Sequence, residues 1–243
     1  MSRIKLKPNS NSLSDIVKQS WDNNIFTRAS DIEQGTDISY LNVILPLVIK
    51  ETLKLSSSNS SIIDVGCGCG FLTDRVYQKG RKNIIGLDIS QISVNYAKKK
   101  YPYIKFYCAD ICHFEMPQEF DLCLAIMSLN NIPDIDGFFA TMSKLLKGYG
   151  KMIIVIPHPY FWPINHLHCQ NYSYEREIPY VYNFSTKGCK KYKSAIIYFH
   201  RKRKTYYKLA SKYGFKILNT QEISDGCNSS NPDILYMMLQ LYK

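Results

Sequence analysis

Three glycines at alternate positions, Gly66, Gly68 and Gly70, form the most informative motif of this 243-residue chain. They follow an apolar run that ends in Asp64 and Val65, and a helix-like segment comes directly after them. Glycines between a buried strand and a helix let the backbone approach a nucleotide-like ligand closely. A dinucleotide fingerprint spaces its glycines G-x-G-x-x-G and favours a pyrophosphate, which an acid at position 64 would repel. The pattern therefore predicts a cationic ligand that carries an amino group.

Two further acids close the next apolar runs of the chain. The run IIGLDIS (84–90) contains Asp88, about twenty residues past the glycines, where a carboxylate can accept hydrogen bonds from both hydroxyls of a ribose. The run IKFYCAD (104–110) ends in Asp110, and Ile111 follows it. Glycines and acids at successive strand ends together favour a nucleoside-containing ligand.

The motif DVGCGCG (64–70) resembles the first motif of class I methyltransferases that depend on S-adenosylmethionine (SAM). The resemblance covers residues 60–160 well, and the alternative is a related fold that uses another nucleotide or none. It implies SAM as the cofactor and assigns residues to each part of it. These are Asp64, Gly66, Cys67, Gly68 and Gly70 around the amino-acid end, Asp88 at the ribose, Ile89, Asp110 and Ile111 at the adenine, and Met127 and Ser128 beside the methionine moiety.

Strand-like and helix-like runs alternate from residue 61 onward, which indicates a parallel sheet. The expected strands are 61–65, 84–88, 104–108, 121–127 and 151–156, and the expected helices are 71–79, 91–100 (with Ser90 as N-cap), 135–147 (ended by a Gly148–Gly150 turn) and 201–213. Two last runs, 215–223 and 234–241, predict a terminal hairpin. We predict an α/β, Rossmann-like fold with a seven-stranded, mostly parallel sheet and helices on both faces.

Two segments lie outside that minimal pattern. Residues 1–55 predict an N-terminal helical cap, with helices at Leu13–Trp21 and Tyr40–Leu55 that are separated by a polar link at 27–35. Pro46 is expected to start or kink the second helix. Residues 56–243 would form the methyltransferase domain, and the aromatic-rich stretch 157–200 is an insertion after the fifth strand. Its alternating pattern predicts two strands of a hairpin or small sheet, and the family resemblance implies a lid over the acceptor.

The candidates for catalysis lie in this insertion. SAM supplies its own reactive methyl group, so an amine acceptor needs little more than deprotonation, whereas a hydroxyl benefits from a general base. His158 stands between two prolines, and we predict that it is a base or an acceptor-orienting group, the alternative being a structural histidine. Tyr160 and Tyr172 are further catalytic candidates that could line the acceptor pocket.

The net charge of +11 leaves an anionic partner open. Eight Lys/Arg and no acid lie between Lys187 and Lys204, and the basic, tyrosine-rich run 187–207 could bind RNA. The alternative is a solvated hairpin edge, where lysines discourage association.

Cysteine and histidine usage favours a protein without a metal. The eight cysteines form no CxxC pair, and without a secretory signal they favour reduced thiols in a cytoplasm. His166, His168 and Cys169 could form a metal site, but we favour polar residues of a substrate loop. No apolar stretch is long enough for a membrane span.

The sequence therefore predicts a SAM-dependent methyltransferase that moves a methyl group to an N, O or C atom of a small molecule, such as a specialised metabolite. The alternatives are a tRNA or rRNA methyltransferase and an enzyme of the same fold that uses SAM without methyl transfer, such as a cyclase. We expect a monomer or homodimer.

Overall fold

The computed structural model describes residues 12–117, 119–166, 172–183, 191–224 and 234–243. Its strands are β1 (Ile62–Val65), β2 (Ile84–Asp88), β3 (Lys105–Cys108), β4 (Phe120–Ile126), β5 (Leu146–Pro157), β6 (Pro179–Tyr182), β7 (Ile196–Phe199), β8 (Lys216–Ser224) and β9 (Ile234–Tyr242). Seven of these strands form one sheet in the order β3-β2-β1-β4-β5-β9-β8. β1 to β5 pair in parallel, and β9 runs antiparallel to both β5 and β8. The predicted seven-stranded sheet with its terminal hairpin is confirmed.

Helices cover both faces of this sheet, as predicted. They are α1 (Leu13–Glu33), α2 (Leu45–Leu55), α3 (Phe71–Gln78), α4 (Gln91–Lys100), α5 (Ile135–Leu145), α6 (Phe161–His166) and α7 (Arg203–Lys212). Side chains alternate across a strand, so Ile62 of β1 joins a cluster with α1, α2 and α3. Its neighbour Ile63 joins the cluster on the other face with α5 and α7. Within the described ranges, no helix is both long and apolar enough to cross a membrane.

Helix α1 corrects the prediction of a polar link at 27–35. The helix starts at a capping box between Ser12 and Asp15 and continues without a break to Glu33. It ends in a Schellman motif, in which Gly35 has φ of +73° and the Thr36 N–H donates to the Asp31 carbonyl oxygen over 2.9 Å. Two apolar residues of the predicted link, Ala29 and Ile32, face the core. Their burial keeps the polar residues around them helical.

A second correction concerns the predicted turn at Gly148–Gly150. Helix α5 ends at Leu145 and strand β5 begins at the next residue, since Leu146 pairs with Phe120 and both are fully buried. The register then shifts, and Lys151 pairs with Leu122. Residues 148–150 therefore lie in strand β5, at the place where its pairing with β4 is irregular.

The ends of the helix after α1 are close to the prediction. The chain is π-helical over Tyr40–Ile44 and α-helical from Leu45, with Pro46 in the first turn of α2. The helix is continuous at this point, since the Leu45 N–H donates to the Tyr40 carbonyl oxygen, and Pro46 has no N–H of its own to donate. Ser90 caps α4 as expected, its Oγ accepting a hydrogen bond from the Ser93 N–H over 3.0 Å.

The insertion contains the predicted hairpin, because β6 and β7 pair antiparallel in a separate two-stranded sheet. Helix α1 is bound to the segment just before β7. The Ser20 Oγ donates to the Ala195 carbonyl oxygen over 2.7 Å. The Asn24 amide both donates to the Ser194 carbonyl oxygen (2.8 Å) and accepts from the Ser194 N–H (3.0 Å). The N-terminal helix and the insertion thus form one unit beside the sheet.

Candidate functional site

A cavity opens beside the carboxyl ends of β1, β2 and β4, where ligands bind in open α/β sheets. It holds about 1620 Å³ of empty space, counting the part open to solvent. Among the predicted cofactor residues, its walls include Gly66, Cys67, Gly68, Asp88, Ile89, Asp110, Ile111, Met127 and Ser128. The fold therefore brings nine of the eleven predicted cofactor residues to one cavity, and Asp64 and Gly70 lie outside its walls.

The three glycines of the loop after β1 have different structural roles. All have positive φ, at +75°, +53° and +77°, which favours glycine. A Cβ on Gly66 would lie 2.4 Å from the Ser128 Cβ, and one on Gly70 would lie 2.8 Å from the Phe106 Cζ. A Cβ on Gly68 would meet nothing within 4 Å. Gly66 and Gly70 thus allow close packing, whereas Gly68 leaves a cradle that a ligand can occupy.

Asp88 ends β2 with both carboxylate oxygens oriented by the backbone. One oxygen accepts a hydrogen bond from the Gly68 N–H (2.8 Å), and the other accepts from the Ser90 N–H (2.9 Å). Burial raises the pKa of the Asp88 carboxyl because it disfavours the charged form. The remaining lone pairs can accept hydrogen bonds from a diol, since a carboxylate offers about four acceptor sites.

The ends of β3 and β4 supply further polar groups. Asp110 begins a short 3₁₀ turn, accepting from the Cys112 N–H over 3.0 Å. Met127 has φ of +57° and is the one non-glycine residue with positive φ among those described. Such strain clusters at functional sites. The Ser128 Oγ is buried in the cavity wall without a hydrogen-bond partner. An orphaned hydroxyl and an open glycine cradle in the walls of the same cavity fit a polar cofactor, and the donor set suits SAM.

Asp64 lies behind the glycine loop. It is 2% exposed, and one carboxylate oxygen accepts a hydrogen bond from the Thr73 Oγ1 over 2.7 Å. Burial raises the pKa of the Asp64 carboxyl to about 7. A nearby cation would favour the ionised form. Asp64 lies outside the cavity walls, so its contribution to the amino-acid end of SAM stays a prediction.

We expect SAM to bind about tenfold more weakly at pH 6 than at pH 8, because a cationic ligand prefers ionised Asp64. The stability of the ligand-free protein has the opposite pH dependence. Because the pKa of this carboxyl is higher in the folded than in the unfolded state, the protein becomes less stable as pH rises toward 7. Calorimetry at several pH values measures the affinity, and Asp64→Asn is the control. An equal pH dependence in that variant would contradict the assignment to Asp64.

The three predicted catalytic residues lie outside the described walls of the cavity. His158 is buried, and its Nδ1 accepts from the N–H groups of Tyr160 (3.2 Å) and Phe161 (3.3 Å) at the start of α6. Burial lowers the pKa of His158, whose Nε2 lies 3.5 Å from the Glu222 Oε1. The Tyr172 hydroxyl donates to the Pro159 carbonyl oxygen over 2.9 Å. These contacts brace the start of α6, and a catalytic role for the three residues stays a prediction.

The sequence reasoning missed a buried ion pair in the cavity wall. Arg28 of α1 donates to the Asp37 carboxylate, and its guanidinium lies 4.8 Å from the centre of the Tyr40 ring. All three residues line the cavity. Their side chains are little exposed, at 18% for Arg28 and 8% for Asp37. A guanidinium has five donors, so this pair leaves donors for a ligand carboxylate.

Arg28 belongs to a stripe along one side of α1. Six residues at spacings of three or four line the cavity: Ser14, Val17, Trp21, Ile25, Arg28 and Ile32. This is the spacing of one helix face. The mixture of apolar, polar and charged residues weakens the hydrophobic periodicity, so the sequence pattern does not reveal the stripe.

Asn130 and Asn131, which follow the fourth strand in the sequence, form a further polar pair in the wall. The Asn131 amide donates to the Ile197 carbonyl oxygen of β7 over 2.6 Å, and it accepts from the Asn130 amide over 3.1 Å. The Asn130 Oδ1 is buried without a partner. This amide oxygen is therefore available to a ligand, while its neighbour anchors the insertion to the sheet.

Much of the described part of the basic run is neutralised or buried. Arg201 is 7% exposed, and its guanidinium donates to the carbonyl oxygens of residues 129, 132 and 133. Lys202 pairs with Glu175, and Arg203 pairs with Glu222. Binding of RNA by this run stays a prediction.

The predicted His166, His168 and Cys169 cluster lies outside what can be described, because His168 and Cys169 and the side chain of His166 are not among the described residues. In the remainder of the chain that the structure covers, no group of three or more His, Cys, Asp and Glu could hold a metal ion.

Comparisons with known proteins agree with this geometry. A family model described as a methyltransferase domain matches residues 56–212. The chain is 29% identical to a ubiquinone biosynthesis O-methyltransferase of Pelagibacter ubique over 147 residues, 58% of this chain and 60% of that protein. It is also 29% identical to a trans-aconitate 2-methyltransferase of Escherichia coli over 128 residues, 52% of this chain and 48% of that protein. The chain spans less than two thirds of the length of these relatives.

A solved structure is similar over nearly the whole chain. The magnesium protoporphyrin IX methyltransferase of Synechocystis PCC 6803, with bound S-adenosylhomocysteine (SAH), has a TM-score of 0.68. The match covers 96% of this chain and 100% of that chain at 15% sequence identity. At this identity the likeness shows the fold alone.

Proposed function

Because this chain belongs to the methyltransferase domain family, we propose that it transfers a methyl group from SAM to an N, O or C atom of a small molecule. The observation that carries this proposal is a cavity whose described walls combine two sets of residues. The glycine loop, Asp88 and Asp110 form one set, and aromatic side chains of α1 and the insertion form the other. A specialised metabolite remains the proposed acceptor, and we expect a cytoplasmic enzyme that is a monomer or a homodimer.

The residues of the cavity walls would have separate parts in the reaction. SAM bound here would supply an electrophilic methyl group on a sulfonium. Asp88 would accept hydrogen bonds from the ribose, and Asp110 with Ile111 would contact the adenine edge. Gly68 would let the backbone approach the ligand, and the Ser128 Oγ would hydrogen-bond the methionine moiety. The chain's contribution to rate is then positioning and exclusion of water.

The methionine carboxylate of SAM needs a cationic partner in such a buried place. Arg28 is the one cation among the described residues of the walls. Arginine binds carboxylates through two parallel hydrogen bonds. We therefore assign Arg28 to this carboxylate, with Asp37 and Tyr40 fixing the orientation of its guanidinium.

We further propose that residues 1–55 act as a cap on the domain formed by residues 56–243. Support comes from the α1 stripe along the cavity and from the hydrogen bonds of Ser20 and Asn24 to the insertion. Residues 157–200 would act as a roof over the acceptor, and they contribute Trp162, Tyr182 and Tyr192 to the cavity walls.

The test uses purified protein and methyl-labelled SAM, offered separately to a small-metabolite extract and to total RNA. Label in the metabolite fraction is the expected result and would give a compound to identify. Label in RNA would overturn the small-molecule proposal in favour of an RNA methyltransferase. Release of methylthioadenosine instead of SAH would identify an enzyme that uses SAM without methyl transfer.

Replacing Asp88 by alanine is expected to weaken SAM binding at least about tenfold, or about 1.4 kcal/mol, through loss of charge-assisted hydrogen bonds to the ribose. Calorimetric titration measures the affinity, and circular dichroism checks the fold. Asp136→Ala is the matched control, since this acid pairs with Lys212 outside the cavity. Unchanged affinity in folded Asp88→Ala would contradict the cofactor assignment.

For His158, we expect alanine to lower turnover while SAM affinity stays the same, because α6 carries Trp162 into the cavity wall. His158→Asn should restore most of the turnover, since its Oδ1 can accept the two backbone hydrogen bonds that Nδ1 accepts now. The turnover numbers of both variants show whether His158 acts through its two backbone hydrogen bonds. Failure of asparagine to restore turnover in a protein of normal stability would point to a general base instead of an acceptor-orienting group.

A further inference from the structure

The segment that follows β4, residues 127–133, contributes six residues to the cavity walls, and we call it the β4 loop. These residues are Met127, Ser128, Asn130, Asn131, Ile132 and Pro133. Met127 has φ of +57°, and such a backbone persists only where the surrounding structure enforces it. Among the described residues, the Ser128 Oγ and the Asn130 Oδ1 are buried without a hydrogen-bond partner. The β4 loop therefore holds two unpaired polar atoms in a conformation that needs support from its surroundings.

Arg201, two residues after the end of β7, supplies such support. Its guanidinium donates hydrogen bonds to three backbone carbonyl oxygens, those of Leu129 (3.2 Å), Ile132 (2.5 Å) and Pro133 (2.7 Å). A short 3₁₀ turn ends at Asn131, and the last carbonyl oxygens of a helix have no intrahelical donor. Arg201 thus supplies donors at the place where the β4 loop leaves this turn.

The three contacts suit an arginine and not a lysine. Arg201 is 7% exposed, and its guanidinium lies 5.3 Å from the centre of the Phe199 ring. A buried charge costs free energy unless hydrogen bonds stabilise it, and here the carbonyl oxygens do so. The guanidinium spreads five donors over a planar fork, whereas a lysine carries its three donors on one nitrogen. The arrangement therefore depends on the shape of the side chain as well as on its charge.

A second contact joins the β4 loop to the same strand of the insertion. The Asn131 amide donates to the Ile197 carbonyl oxygen of β7 over 2.6 Å. This strand also packs against α1, where Ile197 and Phe199 form a cluster with Val17. Arg201 itself lies outside the described walls of the cavity. Its effect on a bound ligand would therefore pass through the β4 loop.

We propose that Arg201 is a positioning residue of the cofactor site, which holds the β4 loop so that the Ser128 Oγ can reach the methionine moiety of SAM. This inference rests on the proposed function and deepens it, since it adds a residue that touches neither cofactor nor acceptor. It also gives β7 a part in cofactor binding, because Arg201 and Ile197 bind the β4 loop from the end of that strand and from its middle.

The test measures SAH binding by calorimetric titration in the full-length protein, at a temperature at which circular dichroism shows each variant to be folded. We expect Arg201→Met to weaken SAH binding at least about tenfold, because a small displacement of a binding group is enough to lose its contact. Arg201→Lys keeps the charge but not the fork, and we expect a loss of at least about threefold. If Arg201→Met does not fold, the affinity of Arg201→Lys decides the test.

Amide hydrogen exchange provides a second measurement, and it should be faster across the β4 loop in both variants. Arg81→Met is the matched control, because this guanidinium also donates to carbonyl oxygens, but those of Leu53 and Ser56, which lie outside the cavity walls. It should change neither the SAH affinity nor the exchange of the β4 loop.

Normal SAH affinity in the folded Arg201 variants would show that Arg201 only stabilises the fold. That result, or an equal loss of affinity in Arg81→Met, would overturn the inference and leave the proposed function intact. Failure of the wild-type protein to bind SAH would overturn both.

Discussion

Gly66→Ala is expected to destabilise the protein by about 2–5 kcal/mol and to abolish SAM binding at the concentrations that saturate the wild type. The backbone at this position has φ of +75°, which costs a residue with a Cβ about 1–2 kcal/mol. The new methyl group would also lie 2.4 Å from the Ser128 Cβ, and overpacking costs about 1–3 kcal/mol. Relief of this contact would move the loop away from the end of β4.

Gly80→Ala provides the matched control for this prediction. Gly80 has φ of +88°, but a Cβ there meets nothing within 4 Å, and the residue lies outside the cavity walls. Chemical denaturation should therefore show only the backbone cost of about 1–2 kcal/mol, with SAM affinity unchanged. Equal losses of stability and affinity in the two variants would contradict the role assigned to the contact between Gly66 and Ser128.

The second large effect is expected at Arg28. Arg28→Met leaves the Asp37 carboxylate buried without its partner, which costs about 3–5 kcal/mol. The double variant Arg28→Met, Asp37→Asn removes both charges and should recover much of that stability. Its SAM affinity should still be at least about tenfold below that of the wild type, because a charge-assisted hydrogen bond to the methionine carboxylate is missing. Thermal unfolding and calorimetric titration separate the two effects.

Arg81 serves as the control arginine. Its guanidinium donates to the carbonyl oxygens of Leu53 (3.0 Å) and Ser56 (2.8 Å), outside the cavity walls. Arg81→Met should lower stability and leave SAM affinity unchanged. Normal SAM affinity in the double variant at positions 28 and 37 would show that Arg28 holds its neighbours and not the cofactor.

Local patterns were sufficient to predict the sheet and to select residues that line one cavity. Ile62 and Ile63 lie in a continuous apolar run, as expected for a parallel strand buried on both faces. Gly68 and Asp88 are 20 residues apart, yet both stand at the ends of neighbouring strands, and their 2.8 Å hydrogen bond follows from that arrangement. Strand order and the glycine turn thus determine where these residues meet.

The predictions failed where local pattern and tertiary packing disagree. The segment 27–35 contains mostly polar residues, but Ala29 and Ile32 face the core and the helix continues to Glu33. Gly148 and Gly150 favour a turn, but the buried pair of Phe120 and Leu146 extends the strand past them. In both places, burial of a few side chains outweighs the local preference of their neighbours.

The sequence by itself determined the alternation of strands and helices, the glycine turn and the acids at the strand ends, because each depends on spacing within a short segment. The tertiary structure alone decided which side chains of the N-terminal helix and the insertion reach the cavity. Ser20 and Ala195, which join these two segments, are 175 residues apart. No periodicity records such a contact, since it depends on how the α1 face packs against the hairpin. The places of Arg28 and of the aromatic side chains in the cavity walls are found only once that packing is known.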